Sequence, residues 1–427
     1  MSDVMRALPF TKLINWIWHE YQDNKTIFGI PESKFFQSNN SNTFEIFGSK
    51  LNLPIGPAAG PHTQLAQNIV GAYLCGSRYF ELKTVQVLDS LEIAKPCIWA
   101  EDECYNTEWS TELSIQGAFE EYVKAWFILH VLKKEVMGQD NGSFIFNMSV
   151  GYDLKGIQTK KVDDFIEGLK DASQTGIFQE CRDVLIQQAK SFKNVDEEYI
   201  NGVSSNICNS ITLSTMHGCP PQEIEAICKY LLSEKKLHTF VKMNPTLLGY
   251  DFVKNTLDQM GYRYIQLREE SFSHDLQYGD GVEMLGRLKQ FAQDHQKEFG
   301  IKLSNTLPVK ITGNELPGEE MYMSGRSLYP LTINLASKLA GEFNGDINIS
   351  FSGGADYHNL PAILETGIRP VTFATTLLKP GGYIRIRQMA EEIDNKAVDF
   401  ARQKIDLKKL KQLAESAFSE VNHLKEK

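Results

Sequence analysis

The chain has 427 residues, of which 42% are hydrophobic, and its formal net charge is -10. This length supports a large core, and a single α/β barrel with insertions can reach it. A negatively charged chain repels phosphate backbones and anionic lipids, so neither nucleic acid nor a membrane is an expected partner. Because no apolar run has the length of a membrane span and the N-terminus lacks a signal-like segment, we expect a cytoplasmic protein.

The seven cysteines are scattered along the sequence without a Cys-x-x-Cys pair. This spacing fits neither a disulfide framework nor an iron–sulfur cluster. A Gly-x-Gly-x-x-Gly dinucleotide motif is also absent from the sequence. We therefore expect no metal site, and we expect any electrons that the chain uses to come from another protein.

In chain order, residues 1–42 are predicted to form an N-terminal helical extension, which a small hairpin around Gly48-Ser49-Lys50 follows. Short apolar strands then alternate with amphipathic helices, a pattern typical of a parallel sheet covered by helices. We predict a barrel over residues 43–392 and a C-terminal helix over residues 393–427. Two polar stretches, at about 88–117 and 174–206, are predicted insertions.

Nine segments of the barrel region have the composition of strands: 53–59, 79–85, 144–150, 210–216, 239–244, 264–269, 301–307, 347–353 and 370–376. An open doubly wound sheet usually has about five to seven strands, whereas an α/β barrel needs eight. The pattern therefore predicts a (β/α)8 TIM barrel with one surplus segment. Segment 301–307 is the first candidate for the surplus.

Small and hydroxylated residues follow three of these strands. Ala58, Ala59 and Gly60 would let a flat ring lie against the backbone. Barrel enzymes often bind phosphate after the last strands through backbone N–H groups and hydroxyls. The candidate phosphate ligands are Ser324, Gly325, Ser352, Gly353, Gly354, Thr375 and Thr376. Each segment alone fits an ordinary turn, but the three in this order favour a phosphorylated cofactor.

Three lysines lie within apolar strands, namely Lys83, Lys242 and Lys302. A buried lysine needs an anionic or polar partner, and a reduced flavin carries negative charge near its N1 atom. An ion pair with a neighbouring carboxylate is the alternative, and for Lys302 it is equally strong. Thr84 and Asn147, also at strand ends, complete the predicted cofactor site.

The loop Ser214–Pro221 offers three groups that could deliver a proton to a substrate ring, namely Thr215, His217 and Cys219. The N-terminus of the following helix is expected to lower the pKa of the Cys219 thiol. Alternatively, Cys219 packs against a proline and His217 only caps the loop. Polar groups at other strand ends match the donors and acceptors of a lactam ring, and these candidate substrate contacts are Asn244, Glu269, Glu270, Asn305 and Thr306.

Together these segments resemble the dihydroorotate dehydrogenase-like FMN barrels. The resemblance is closest to the FMN domain of dihydropyrimidine dehydrogenase and to the N-terminal part of bacterial proteins named as selenate reductase subunits. It rests on residues 56–70, 81–89, 100–112, 146–152, 212–228, 241–250, 316–326 and 352–354. It implies FMN as the cofactor, with Ala58–Gly60, Lys83 and Lys242 at the flavin and the hydroxyl- and glycine-rich loops at its phosphate.

The chain departs from this family at the catalytic loop. The family places a Cys or Ser within an Asn-x-Ser-Cys/Ser-Pro motif, whereas Thr212–Met216 stands here. Thr215 holds the literal position of the acid but is a poor acid, and Cys219 lies four residues later beside a proline. We therefore favour Cys219, with His217 in support.

The resemblance implies an FMN-dependent oxidoreductase that reduces a C=C or C=N bond of a purine- or pyrimidine-type heterocycle. A separate FAD/iron–sulfur subunit that oxidises NAD(P)H would supply the electrons, and a homodimer is compatible with this scheme. Dihydroorotate dehydrogenase activity and a non-catalytic barrel that scaffolds a reductase complex are the alternatives. Selenate reduction is not expected, since the sequence contains no evident ligand set for a metal oxo-transfer centre.

Overall fold

Eight parallel strands form a barrel in the computed structural model, which describes residues 5–38, 42–88, 90, 93–100, 103–107, 111–138, 142–214, 217–400 and 404–425. The barrel strands are β1 Ile55–Pro57, β2 Tyr79–Glu81, β3 Ile145–Gly151, β4 Ser210–Ser214, β5 His238–Met243, β6 Phe299–Leu303, β7 Asn348–Phe351 and β8 Val371–Phe373. They pair in the order β1-β8-β7-β6-β5-β4-β3-β2. The N–H of Arg78 donates to the carbonyl of Ile55 at 2.9 Å and joins the two ends of this sheet. The predicted (β/α)8 barrel is therefore confirmed.

The surplus strand candidate is segment 264–269, so the prediction that 301–307 is the extra one is wrong. Phe299–Leu303 is β6 and pairs with both β5 and β7. Residues 264–268 form no strand, although Ile265 and Leu267 are buried and Tyr264 and Gln266 are exposed. This alternation imitates a strand because the segment lies along the protein surface. One backbone bond, from Lys310 N–H to the Gln266 carbonyl, holds it there.

Helices follow the barrel strands and cover their outer faces. Their bounds are α1 Phe10–Asn24, α2 Ala66–Leu74, α3 Ile115–Leu132, α4 Leu154–Ile157, α5 Lys160–Lys170, α6 Gly176–Gln188, α7 Glu197–Asn201, α8 Pro221–Ser233, α9 Tyr250–Gln259, α10 Glu269–His274, α11 Tyr278–Asp294, α12 Tyr329–Glu342, α13 Leu360–Glu365, α14 Thr375–Leu378, α15 Ile384–Asn395 and α16 Leu407–Lys425. The C-terminal helix predicted over residues 393–427 corresponds mainly to α16, which begins at Leu407, while α15 ends at Asn395. Helix α16 packs against α12 and α13.

The predicted insertion at 88–117 supplies part of a four-stranded antiparallel sheet, which we call the cap sheet. Its strands, in spatial order, are Leu307–Lys310, Glu320–Ser324, Cys104–Asn106 and Ile98–Trp99. The insertion follows β2, and the other two strands follow β6. Because loops after parallel strands leave at the carboxyl end of a barrel, the cap sheet lies over that end.

The other additions extend the core away from the carboxyl end. The insertion at 174–206 contains α6 and α7, and α6 packs against α1 and α3. The predicted hairpin is present as Phe44–Ile46 and Ser49–Leu51. Its turn is Phe47-Gly48, which begins one residue earlier than the predicted turn Gly48-Ser49-Lys50. Both turn residues have positive φ angles, of 53° and 72°. Such angles are those of the two-residue turns that match strand twist.

Replacement of Ser114 by Ala is expected to destabilise the fold by about 1 kcal/mol. Ser114 is the N-cap of α3, and its hydroxyl accepts the backbone N–H of Gly117 at 3.0 Å. Alanine would leave that N–H without its side-chain acceptor. Chemical denaturation would measure the loss, and Ser114→Asp should restore most of it because aspartate also caps helices. Equal stability of the wild type and Ser114→Ala would contradict the role of this cap.

Candidate functional site

Two joined cavities open at the carboxyl end of the barrel. The first, which we call the glycine cavity, has a volume of about 330 Å³. The second, the lysine cavity, has a volume of about 530 Å³. Residues that line both are Ala59, Lys242, Thr306, Ser324, Ala374 and Thr375. A long ligand could therefore occupy both cavities at once.

The glycine cavity is shaped by two residues that tolerate no side chain. Gly353 and Gly354 have φ angles of +97° and +92°, which L side chains rarely adopt. A Cβ at Gly353 would lie 2.6 Å from the Thr332 hydroxyl, and one at Gly354 would lie 2.7 Å from the backbone nitrogen of Tyr329. The backbone itself therefore forms this part of the cavity wall.

The predicted phosphate ligands meet in the glycine cavity, although they come from three separate segments. Those that line it are Ser324, Gly325, Ser352, Gly353, Gly354, Thr375 and Thr376. The hydroxyls of Ser324 and Thr375 lie 2.9 Å apart and bridge the cap sheet to the end of β8. The Thr376 hydroxyl donates to the carbonyl of Ala355 at 3.1 Å. The fold therefore brings the predicted phosphate ligands together, while the binding of a phosphate by them stays a prediction.

Charged side chains that the sequence analysis did not select also line the glycine cavity: Glu103, Arg326, Asp356, Lys379 and Arg385. Arg326 donates through Nε and a terminal nitrogen to one Asp356 oxygen, at 3.1 and 3.0 Å. Burial raises the pKa of Glu103, which accepts the Tyr262 hydroxyl at 2.5 Å. Arg326 directly follows Gly325 and was detectable from sequence. Glu103, Asp356 and Lys379 lie in loops and Arg385 lies at the start of α15, and none of the four has a distinguishing signal in the sequence.

The lysine cavity contains the predicted residues of the first two strands and of β6. Ala59, Gly60, Lys83, Thr84, Asn305 and Thr306 line it, together with Asn106 and Thr107 of the insertion. The Thr84 hydroxyl lies 2.8 Å from that of Ser149. Its rim includes three apolar residues, namely Leu88, Ile98 and Leu378. Polar groups thus surround a space with an apolar edge, which suits a flat heterocycle.

Two predicted cofactor contacts, Lys302 and Asn147, lie deeper than either cavity. Lys302 is 1% exposed, and its ammonium forms an ion pair with Glu81 at 2.7 Å. The carboxylate partner considered as the alternative is therefore present. Burial lowers the pKa of Lys302 to about 8, although the negative charge of Glu81 acts to raise it. Asn147 donates to the Thr212 hydroxyl at 2.8 Å inside the barrel.

His217 belongs to a hydrogen-bonded cluster whose centre is Asp275. Nδ1 of His217 lies 2.9 Å from one carboxylate oxygen of Asp275. Thr246 donates its hydroxyl to the same oxygen at 2.8 Å, and the Gly218 N–H donates to the other at 2.6 Å. Although burial alone raises the pKa of Asp275, these bonds and the histidine lower it. The Asp275 partner lies 58 residues along the chain, so sequence gave no hint of it.

Asn244, predicted to contact substrate, is part of the same cluster. Its amide nitrogen donates to Asp275 at 3.1 Å and lies 3.2 Å from Nδ1 of His217. It does not line the glycine or lysine cavity, whereas Asn305 and Thr306 do. Of these candidate substrate contacts, Asn305 and Thr306 therefore lie at the joined cavities and Asn244 does not.

The expected lowering of the Cys219 pKa is wrong. Burial and the carboxylates of Glu223 and Asp153 raise the pKa of this thiol to about 11. Cys219 borders a separate space of about 20 Å³, which Lys242 and Asp275 also line. Thr215, the other candidate acid, lies outside the described residues.

Glu269 and Glu270 are not at the end of a strand. Both are exposed in the first turn of α10, and neither lines the two joined cavities. Acidic residues stabilise a helix N-terminus, which is a sufficient physical reason for their position. The two glutamates were expected at the substrate because a strand was predicted to end there, and that reason therefore no longer holds.

Glu420 on α16 is expected to make stability depend on pH. Burial and the nearby Asp356 raise its pKa to about 7, while Arg326 opposes the shift. A carboxyl whose folded pKa exceeds its unfolded value destabilises the fold as it ionises. Glu420→Gln should therefore raise the unfolding temperature at about pH 8 and change it little at about pH 5. Thermal melts at both values, with the exposed Glu415→Gln as control, would detect this; equal shifts at both pH values would refute it.

Two absences hold for the described part of the chain. Within it, no helix combines the length and apolarity that a membrane crossing requires. The same residues contain no group of three or more His, Cys, Asp or Glu side chains placed to hold a metal ion.

The closed eight-stranded barrel has the fold of solved dihydroorotate dehydrogenases (DHODHs). The ligand-free DHODH of Eimeria tenella has this fold, with a TM-score of 0.54, 15% identity, and coverage of 93% of this chain and 98% of that one. Its complex with ferulenol gives a TM-score of 0.51 and 13% identity, covering 95% and 96%. At these identities the likeness concerns the fold alone.

The chain belongs to the family described as oxidoreductase YgfK, N-terminal TIM-barrel domain, whose profile matches residues 28–425. It is 49% identical over 431 residues to the proteins named as oxidoreductase YgfK in Escherichia coli strain K12 and in Escherichia coli O157:H7. The alignment covers 98% of this chain and 42% of each relative. The chain thus spans less than half the length of these relatives.

Proposed function

We propose that the chain binds FMN across the two joined cavities and exchanges electrons with a purine- or pyrimidine-type ring. The observation that carries this proposal is the continuity between a wall of side-chain-free backbone and a cavity edged by two lysines. The first suits a phosphate, and the second suits a flat ring that becomes negatively charged.

The glycine cavity fits the phosphate of FMN. Gly353 and Gly354 line this cavity with their backbone, and a Cβ at either position would collide with the protein behind the wall. The hydroxyls of Ser352, Thr375 and Thr376 add hydrogen-bonding groups, and Arg326, Lys379 and Arg385 add positive charge. Asp356 and Glu103 offset part of that charge, so the cavity favours one compact anion over an extended polyanion.

The wall between the cavities fits the flavin ring. Ala58 and Ala59 present small side chains there, while Lys242 borders both cavities and Lys83 borders the lysine cavity. Bound FMN would supply hydride and single-electron chemistry. The two ammonium groups would stabilise negative charge on the ring, and Asn305 with Thr306 would orient the substrate.

The loop after β4 offers candidate proton donors, and one of them, Cys219, borders a small space that Lys242 also lines. Asp275 engages Nδ1 of His217, so proton exchange with a substrate would use Nε2. Cys219 is a second candidate, since a thiol with a pKa of about 11 stays protonated at neutral pH. Thr215 is the third candidate from the same loop. A neutral or positive imidazole and a thiol can each donate a proton in a general-acid step.

We further propose that a separate FAD/iron–sulfur subunit supplies the electrons. The scattered cysteines and the missing dinucleotide motif in this sequence support the proposal. NAD(P)H alone is therefore expected to reduce the FMN of this chain slowly.

The test is anaerobic photoreduction of the FMN-loaded chain, followed by mixing with uracil, orotate, xanthine or urate. The proposal predicts that at least one ring restores the oxidised flavin spectrum far faster than buffer. A response to orotate alone would favour dihydroorotate dehydrogenase activity. A chain that remains colourless after FMN is added would contradict both enzyme functions and favour the scaffold.

A further inference from the structure

A charged and hydroxylated network lies inside the barrel below the two cavities. The Lys302 ammonium forms an ion pair with Glu81 at 2.7 Å and donates to the hydroxyls of Ser350, at 3.2 Å, and Thr372. Thr372 in turn donates to Glu81 at 3.1 Å. The backbone N–H of Ala59, a residue of both cavity walls, donates to the same Glu81 oxygen at 3.4 Å. Four strands and the end of β1 therefore meet in this network.

The network is one layer below the cavity floor. Side chains two positions apart on a strand face the same side, and two residues advance the chain by about 7 Å. Two positions after each network residue, the chain reaches a cavity-lining residue: Lys83 after Glu81, Ser304 after Lys302, Ser352 after Ser350, and Ala374 after Thr372. A ligand on this floor would lie about 7–10 Å from the ion pair.

Stability alone gives little reason for an ion pair here. Layers inside such barrels are usually filled by bulky branched apolar residues. A buried ion pair is often no more stabilising than apolar residues of the same volume, because both charges lose their hydration. Glu81 and Lys302 are buried to 3% and 1% exposure, and Lys242 on the neighbouring strand adds a further positive charge that acts on Lys302. The buried ion pair therefore contributes little to stability, and an effect on a ligand in the cavities would explain why it is present.

We propose that the Glu81–Lys302 pair sets the balance between oxidised and reduced flavin on the cavity floor. This inference rests on the proposed FMN function. Lys302 stabilises the negative charge that reduction places on the ring, and Glu81 limits that effect while holding the Ala59 N–H. The pair thus acts through charge, at a distance, and neither residue touches the cofactor.

Single substitutions should shift this balance in opposite directions. Glu81→Gln keeps an acceptor for the Ala59 N–H but removes the negative charge, so reduced FMN should gain affinity relative to oxidised FMN. Lys302→Met should do the reverse. At such separations a unit charge inside a protein changes the affinity ratio by about tenfold, which is about 30 mV for a two-electron couple.

The shifts should be measured near about pH 6, below the pKa of about 8 of Lys302, because only a charged lysine acts on the flavin. The double variant Glu81→Gln/Lys302→Met has the net charge of the wild type and should return to within about twofold of its ratio.

The experiment is a spectroelectrochemical titration of the FMN-loaded chain and its three variants near about pH 6, with FMN affinity measured separately for each. Opposite single shifts that cancel in the double variant support the proposal. Single shifts of the same sign, or single-variant ratios within about twofold of wild type, overturn it. If one single variant fails to fold, the other must still differ from the double variant by about tenfold. Failure of the wild type to bind FMN overturns the proposed function as well, and the affinity measurement identifies that outcome.

Discussion

Gly354→Ala is expected to weaken FMN binding by about 10- to 100-fold, while most of the fold persists. The φ angle of Gly354 is +92°, and a Cβ there would lie 2.7–2.8 Å from the Tyr329 backbone nitrogen, Cα and Cβ. Alanine must therefore displace the start of α12 or adopt a new backbone conformation. Strain at such positions costs about 1–3 kcal/mol, and each 1.4 kcal/mol changes affinity about tenfold. Fluorescence titration with FMN would measure the loss.

The matched control is Gly341→Ala on the same helix, α12. A Cβ at Gly341 meets nothing within 4 Å, and the φ angle is ordinary. This variant should keep the wild-type affinity and gain slightly in stability, since alanine favours helices. Wild-type affinity in Gly354→Ala would show that the glycine cavity does not hold the phosphate. Circular dichroism would separate a local defect from general unfolding.

Asp275→Asn is expected to slow substrate-dependent reoxidation of the flavin by about 100-fold or more. The carboxylate accepts Nδ1 of His217 and would stabilise the protonated imidazole, whereas an amide can reverse that hydrogen bond. FMN affinity should change little, because Asp275 lines neither the glycine cavity nor the lysine cavity. Anaerobic stopped-flow mixing of the reduced chain with the ring substrate would give the rate.

Two further variants make this test specific. Asp280→Asn removes an exposed carboxylate of α11 and should leave the rate unchanged. Cys219→Ala tests the rival acid: if it costs far more than Asp275→Asn, the thiol delivers the proton and the histidine cluster is structural. Wild-type rates in both Asp275→Asn and Cys219→Ala would exclude both groups, leaving Thr215 as the remaining candidate of this loop.

The barrel could be predicted because its strands are short, apolar and separated by amphipathic helices. The error concerned segment 264–269, where Ile265 and Leu267 are buried on one side of a surface loop. Alternation of buried and exposed residues indicates that one side of a segment is buried, and it does not indicate hydrogen bonding to a neighbouring strand. A loop that lies along the protein surface therefore shows the same pattern as a strand. By contrast, β6 has buried residues on both faces, which is characteristic of an inner parallel strand.

The glycine cavity was also predictable, because backbone-lined walls require residue types that sequence reveals directly. Gly353, Gly354 and the hydroxyls that follow β8 were informative through their order along the chain, although each segment alone fits an ordinary turn. Polar pairs are different, since their partners are remote in sequence. Lys302 meets Glu81 only because β6 and β2 face each other across the barrel, and His217 meets Asp275 through a loop before α11.

The central claim, that this barrel is an FMN-binding oxidoreductase domain, is tested most directly by titrating the purified, flavin-free chain with FMN under anaerobic conditions. We predict one bound FMN per chain, a shifted flavin absorption spectrum, and full reduction of the bound flavin by light. Competition by inorganic phosphate should weaken the binding, since the glycine cavity would hold the phosphate group. A flavin that stays free in solution, with an unchanged spectrum at all protein concentrations, would contradict the claim.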